Sequence, residues 1–103
     1  METVGQILRN KRENKGLLLR EVAASAALDQ AILSKIERSE RKPSKEQLFK
    51  LAKILGLDRE QLLIHYLSEK IAYEIAGEKV ADEVLRVAES KVKYLKKTGN
   101  GKH

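Results

Sequence analysis

An all-α fold is the class this sequence predicts, and three observations carry the prediction. Apolar residues recur at steps of three and four along nearly the whole chain, and no stretch alternates with the period of a strand. Helix-starting pairs, a capping residue followed three positions later by Gln, stand at Thr3/Gln6, Ser44/Gln47 and Asp58/Gln61. Aromatic residues are 4% of the chain against a hydrophobic total of 42%. The core must therefore be built from Leu, Ile, Val and Ala, which suits packed helices better than a sandwich of strands.

Each element follows from local signals. Helix one opens at Thr3, carries Val4, Ile7 and Leu8 on its apolar stripe with Arg9, Lys11, Arg12 and Lys15 largely off it, and stops at Gly16. Helix two is expected from Leu19 to Ala26, burying Val22, Ala23 and Ala26. A short bend, Ala27-Leu28, leads to Asp29, which caps helix three; this runs from Gln30 to Arg38 with Ile32, Leu33 and Ile36 inward. Residues 39–43, Ser-Glu-Arg-Lys-Pro, form a polar breaker. Helix four then turns Leu48, Leu51, Ala52 and Leu55 inward and ends at Gly56. Helix five starts at Asp58 and carries Leu62, Leu63, Tyr66 and Leu67.

The pattern stays helical beyond residue 67. Ile64, Leu67, Ile71 and Ile75 form one stripe, and Gly77 interrupts it. Ala81, Val84, Ala88, Val92 and Leu95 form a second, backed by Val80 and Leu85. The expected organisation is a domain over residues 1–66, a helical extension over 67–97, and a disordered tail over 98–103, where apolar residues are absent.

Composition removes several function classes. Without cysteine there is neither a disulfide framework nor a thiolate metal site. No apolar run approaches the roughly 18 residues of a membrane span, and METVGQILRN lacks the apolar core of a signal peptide, so a cytoplasmic location without membrane contact is expected. His65 and His103 have no partners at metal-binding spacing, and Asp82-Glu83 are consecutive and cannot face one site. No Gly-rich phosphate loop or nucleophile motif is present. No enzyme, metal or cofactor is expected. Charge is unevenly placed: residues 1–66 hold 13 Lys/Arg against 9 Asp/Glu, residues 67–90 hold 3 against 6, and residues 91–103 hold 5 against none. Three segments of different sign argue for separate roles, though an excess of this size is weak support for a nucleic-acid partner.

The stretch from Gly16 to Ser44 is the most informative. Two short helices, a tight turn and a basic, Pro-ended exit have the layout of a helix-turn-helix, in which one helix braces a second that enters the DNA major groove. Residues 4–64 resemble the Cro/C1-type (XRE-type) DNA-binding domain, the five-helix, lambda-repressor-like bundle of phage repressors and many bacterial regulators. The resemblance is carried by Ile7, Leu8, Arg9, Arg12, Gly16, Glu21, Val22, Ala23, Leu28, Leu33, Ser34, Ile36, Glu37, Arg41, Pro43, Leu51, Ala52, Leu55, Gly56 and Leu57, and most specifically by the string SKIERSERKPS. Three positions depart from it. Leu18 stands where Ser or Thr usually caps helix two, an absence worth about 1 kcal/mol. Leu19 replaces a Gln that binds DNA backbone, leaving backbone N–H groups at that end for phosphate. Ala27 takes a turn position often held by Gly, where a left-handed backbone strains Ala by roughly 1 kcal/mol.

From an Asp29 cap, the outward face of helix three holds Gln30, Ala31, Ser34, Lys35 and Arg38. Gln30 suits a bidentate pair with adenine, Lys35 suits guanine O6/N7, and Ala31 suits a thymine methyl. The resemblance implies that Gln30, Ala31 and Lys35 are the main base-reading positions. Arg20, Arg38, Arg41, Lys42 and Lys45 are candidates for phosphate contacts, and for each an ordinary solvated charge is an equal reading. The resemblance also implies an ion pair between Arg12 and Glu37 that orients helix three.

The segment after residue 67 admits two readings. It is a dimerisation element, with Ile71, Ile75, Val84, Ala88, Val92 and Leu95 as candidate contacts, or it folds back on its own bundle. The Lys91, Lys93, Lys96 and Lys97 group fits a solvated helix end better than flanking DNA. Together these features lead us to expect a homodimeric, sequence-specific transcriptional regulator bound to double-stranded DNA at a palindromic operator, of the restriction–modification-controller type. The alternative is an antitoxin-like adaptor whose C-terminal helices hold a partner protein.

Overall fold

Six helices and the turns between them make up the described residues, 1–99, of the computed structural model. They are α1 (Val4–Asn14), α2 (Leu19–Ser25), α3 (Gln30–Glu37), α4 (Lys45–Leu55), α5 (Arg59–Ile75) and α6 (Ala81–Thr98). No strand occurs among the described residues. Contacts divide the chain into two units, Met1–Glu69 and the residues from Lys70 onward. The division falls inside α5, three residues beyond the expected boundary, and α5 passes through it without a break.

Local chemistry starts the helices. Thr3 Oγ1 accepts from Gln6 N at 3.1 Å while Gln6 Oε1 accepts from Thr3 N at 2.8 Å, and Ser44 and Gln47 do the same for α4 at 3.1 and 3.0 Å. Each exchange satisfies two donors that a helix N-terminus leaves unpaired. Asp58 Oδ1 accepts from Gln61 N at 2.9 Å to open α5. Gly56 closes α4 in the left-handed conformation at φ 69°.

The core of the first unit joins all five of its helices. Leu8, Val22, Leu33, Ile36, Leu48, Leu51 and Leu55 are fully buried, and α5 adds Leu62 and Tyr66. Burial of one such side chain contributes about 1.5–3 kcal/mol. The Tyr66 hydroxyl donates to the Pro43 carbonyl at 2.6 Å, so the chain after α3 is pinned to α5.

Several expectations need correction. The last helical residue of α2 is Ser25, with Ala26 as its cap. Leu67 is 38% exposed, because it lies about 100° around the helix from Tyr66 and so leaves the inward face. In the second unit, where the sequence allows the α6 stripe either a second copy or its own bundle, no α6 residue is buried, and Val84, Leu85, Val92 and Leu95 are all exposed. Thr98, assigned to a disordered tail, closes α6: its hydroxyl donates to the Leu95 carbonyl at 3.1 Å, and Gly99 caps the helix at φ 78°. The rest of that tail, including His103, lies outside the described residues.

Candidate nucleic-acid interface

The α2–turn–α3 segment is shaped by its helix ends. Leu18 takes the N-cap conformation of α2 (φ −80°, ψ 151°) but has no acceptor to offer. Half of the usual exchange survives, since Glu21 Oε1 accepts from Leu18 N at 2.7 Å. At the other end, Leu28 N donates to Ala23 O at 2.8 Å and Ala27 N to Ala24 O at 3.1 Å, with Ala27 left-handed at φ 55°. This is a Schellman closure built on Ala instead of Gly. Asp29 Oδ1 then accepts from Ala31 N at 2.8 Å and starts α3.

A second closure of the same kind ends α3. Ser39 N donates to Ile36 O at 3.1 Å and Glu40 N to Lys35 O at 2.9 Å, with Ser39 at φ 63°. The sequence places a polar breaker at this point, but serine gives no hint of a left-handed closure. Two non-glycine residues in that region cost about 1–2 kcal/mol each.

Between these closures α3 has two distinct sides. Leu33, Ile36 and Glu37 are buried, whereas Gln30, Ala31 and Lys35 are exposed together. Ser34 is only half-buried and sits at the edge of that exposed face. Arg38 is exposed but engaged, its Nε donating to Glu40 Oε2 at 2.9 Å. Arg20, Arg41, Lys42 and Lys45 are exposed around the segment.

Beneath the face, Arg12 and Glu37 meet. Arg12 Nε donates to Glu37 Oε2 at 2.8 Å and Nη2 to Oε1 at 3.0 Å, a bidentate fork. Arg12 Nη1 also donates to Leu17 O at 2.9 Å, which ties α1 to the approach of α2 as well as to the end of α3. The hydrogen bond to Glu37 pushes the guanidinium above its ordinary value, against the opposing effect of burial.

Two further contacts support the end of α3 and a third holds the head of α1; the sequence reading includes none of them. Gly5 packs so closely under the end of α3 that a Cβ there would run into the Ile36 carbonyl oxygen and lie 2.8 Å from that of Glu37. Thr3 Oγ1 and Ser39 Oγ are 2.8 Å apart. Val4 N donates to Glu69 Oε2 at 2.6 Å. Of these, only Gly5 carried a visible signal, a glycine inside a helical pattern.

Elsewhere, His65 lines a cavity of about 300 Å³ with Glu2, Ile7, Leu57, Asp58, Gln61 and Leu62. Among the described residues no group of three His, Cys, Asp or Glu is placed to hold a metal, and no helix is long and apolar enough to cross a membrane. In the second unit, Ile71, Val84, Ala88, Val92 and Leu95 are exposed and Ile75 is half-buried. Lys93 lies 3.9 Å from Glu89 on α6, and Lys96 and Lys97 occupy its last turn, where cations suit the helix dipole.

A braced helix with a polar outer face, joined by a tight turn to a shorter helix, defines a helix-turn-helix protein. Residues 8–62 match the Helix-turn-helix family, and the chain belongs to that family in its Cro/C1 (XRE) form. The transcriptional regulator ClgR of Mycobacterium tuberculosis is 41% identical over 63 residues, 61% of this chain. That match spans 56% of the length of ClgR. The crystal structure of SinR, a master regulator for biofilm formation, in complex with DNA aligns at 34% identity with a TM-score of 0.55, covering 59% of this chain and 98% of that one. A SinR/SinI protein complex aligns at 27% identity and a TM-score of 0.55, over 92% of this chain and 99% of the other; SinR comes from Bacillus subtilis.

Proposed function

We propose that this protein is a cytoplasmic, homodimeric regulator of transcription that reads a palindromic operator with α3 in the major groove. The observation that carries the reading is the exposed face of α3, Gln30-Ala31-Lys35, held on a helix whose opposite side is buried and ion-paired. Gln30 offers both a donor and an acceptor to adenine, Lys35 donates to guanine, and Ala31 leaves room for a thymine methyl. Ser34, at the edge, suits a marginal base or sugar contact. The similarity to SinR bound to DNA supports the same use of the segment.

Phosphate contacts are assigned to Arg20, Arg41, Lys42 and Lys45, which flank α3. Arg38 is held by Glu40, which weighs against it as a phosphate contact. The DNA-binding domain is taken as residues 1–66 and the dimerisation element as residues 67–97. Support for a dimer comes from the exposed apolar positions Ile71, Val84, Ala88, Val92 and Leu95 and the half-buried Ile75. Control of restriction–modification genes rests on compact architecture alone; SinR is a master regulator for biofilm formation.

A second reading has its own observation. The similarity to the SinR/SinI complex extends over 92% of this chain, and α6 leaves its apolar residues exposed, so the C-terminal helices suit a protein partner as well as a second copy.

Selection of bound sites from a random DNA pool tests the main reading. Two inverted half-sites about one helical turn apart are the expected result. Gln30→Ala and Lys35→Ala should each relax discrimination by about 1–3 kcal/mol at one base position. Binding that falls with salt but never discriminates among sequences would refute the operator and favour the adaptor.

A further inference from the structure

The first turn of α1 is gripped from two sides. Val4 N–H, one of the unpaired donors at the head of the helix, gives its proton to Glu69 Oε2 at 2.6 Å across 65 residues of chain. The carboxylate thereby also meets the positive end of the α1 dipole. On the other side, Thr3 Oγ1, which accepts from Gln6 N to cap α1, meets Ser39 Oγ at 2.8 Å. Gly5, the next residue after Val4, lies against the carbonyls of Ile36 and Glu37. Ser39 is the left-handed residue that closes α3. The α1 turn held by Glu69 is thus the turn against which α3 ends.

We propose that Glu69 is a positioning residue for DNA recognition. By anchoring Val4 it fixes the first turn of α1, and that turn sets where the end of α3 lies. The inference rests on the reading of α3 as the groove-reading helix. Its leverage comes from the shortness of α3, which has eight residues. Lys35 is one turn back from Ser39, so a displacement at the closure is carried directly to a base-reading side chain. The contact is long-range in sequence and lies wholly within the first unit, which ends at Glu69.

The sign of the effect separates positioning from plain electrostatics. Removal of a negative charge from a DNA-binding protein ordinarily strengthens its attraction to phosphate. Loss of a positioning contact weakens specific binding instead. The full chain is compared as wild type, Glu69→Ala and Glu69→Gln, the last keeping an oxygen acceptor for Val4 N–H without the charge. At fixed salt, Glu69→Ala should bind the selected operator about three- to tenfold more weakly while its affinity for scrambled DNA holds or rises. Glu69→Gln should recover most of the loss. Operator binding by Glu69→Ala that equals or exceeds wild type overturns the proposal.

Amide hydrogen exchange without DNA is the second readout. Glu69→Ala should speed exchange at Val4 and also at Ser39 and Glu40, whose N–H groups close α3. Unchanged exchange at Ser39 and Glu40 overturns the relay even where the operator is read. Wild-type protein that discriminates no operator fails the reading of α3 itself, whatever the exchange rates at Ser39 and Glu40.

Discussion

Replacement of Glu37 by Ala should cost the first unit about 2–3 kcal/mol. The pair it breaks is enclosed, with the Arg12 and Glu37 side chains 13% and 5% exposed. Removing one partner of a buried pair typically costs about 3–5 kcal/mol, because the other charge stays buried and uncompensated. Arg12 retains one acceptor, Leu17 O at 2.9 Å, and enough exposure to recover some water, which lowers the figure. For a domain of this size that loss corresponds to a fall in Tm of roughly 10–20 °C. Thermal and urea unfolding followed by circular dichroism measure it, alongside the double variant Arg12→Met/Glu37→Leu, in which no charge is left stranded. The double variant should regain most of the loss. Arg12 holds its proton more tightly folded than unfolded, so its contribution is complete below the ordinary arginine range and is lost only above it. The Glu37→Ala deficit should therefore be flat between about pH 6 and pH 8. A deficit below about 1 kcal/mol, the range of exposed pairs, or a double variant no better than the single, would refute the reasoning.

Three other substitutions test the supports of α3. Gly5→Ala drives a methyl into backbone carbonyls of α3 and should destabilise by about 1–2 kcal/mol net of the gain in helix propensity, read as a lower Tm. Ala27→Gly relieves the left-handed strain at φ 55° and should raise Tm by a few degrees, the roughly 1 kcal/mol of relief being partly offset by the freer unfolded chain. Tyr66→Phe removes the 2.6 Å bond to Pro43 O and should cost about 1–2 kcal/mol in urea unfolding, with an unchanged slope.

The helices from α1 to α4 were legible because their signals are local. The pairs Thr3/Gln6 and Ser44/Gln47, the Asp29 cap and Gly56 each act within four residues of themselves, and all four are formed. The buried faces of α2 and α4 were equally plain, since an apolar stripe has no other use in a helix of that length. Leu67 follows directly on the inward-facing Tyr66, and one residue's step turns it about 100° off that face, a limit the apolar pattern alone does not mark. The left-handed Ser39 was invisible, since a turn closed by a non-glycine residue is set by what packs around it. Glu69 lay beyond sequence reasoning for a simpler reason: 65 residues separate it from Val4, and a glutamate on a helix is most often solvated.

The eight residues of α3 are fewer than an isolated helix needs to hold together in water. Its geometry is therefore imported, from the Asp29 cap, from the Ser39 closure, from Gly5 and from the Arg12–Glu37 fork. None of these supports uses the side chains of Gln30, Ala31 or Lys35, which point away from the buried side. Stability and reading should then separate cleanly. Gln30→Ala and Lys35→Ala should unfold within about 0.5 kcal/mol of wild type, as substitutions away from packing and capping features do, while the base preference changes. Gly5→Ala and Glu37→Ala should do the reverse, lowering Tm first and weakening every operator variant together. Side-by-side melting curves and site selections on the four variants measure the separation. A Lys35→Ala protein that melts as low as Glu37→Ala would show that the reading face also carries the fold.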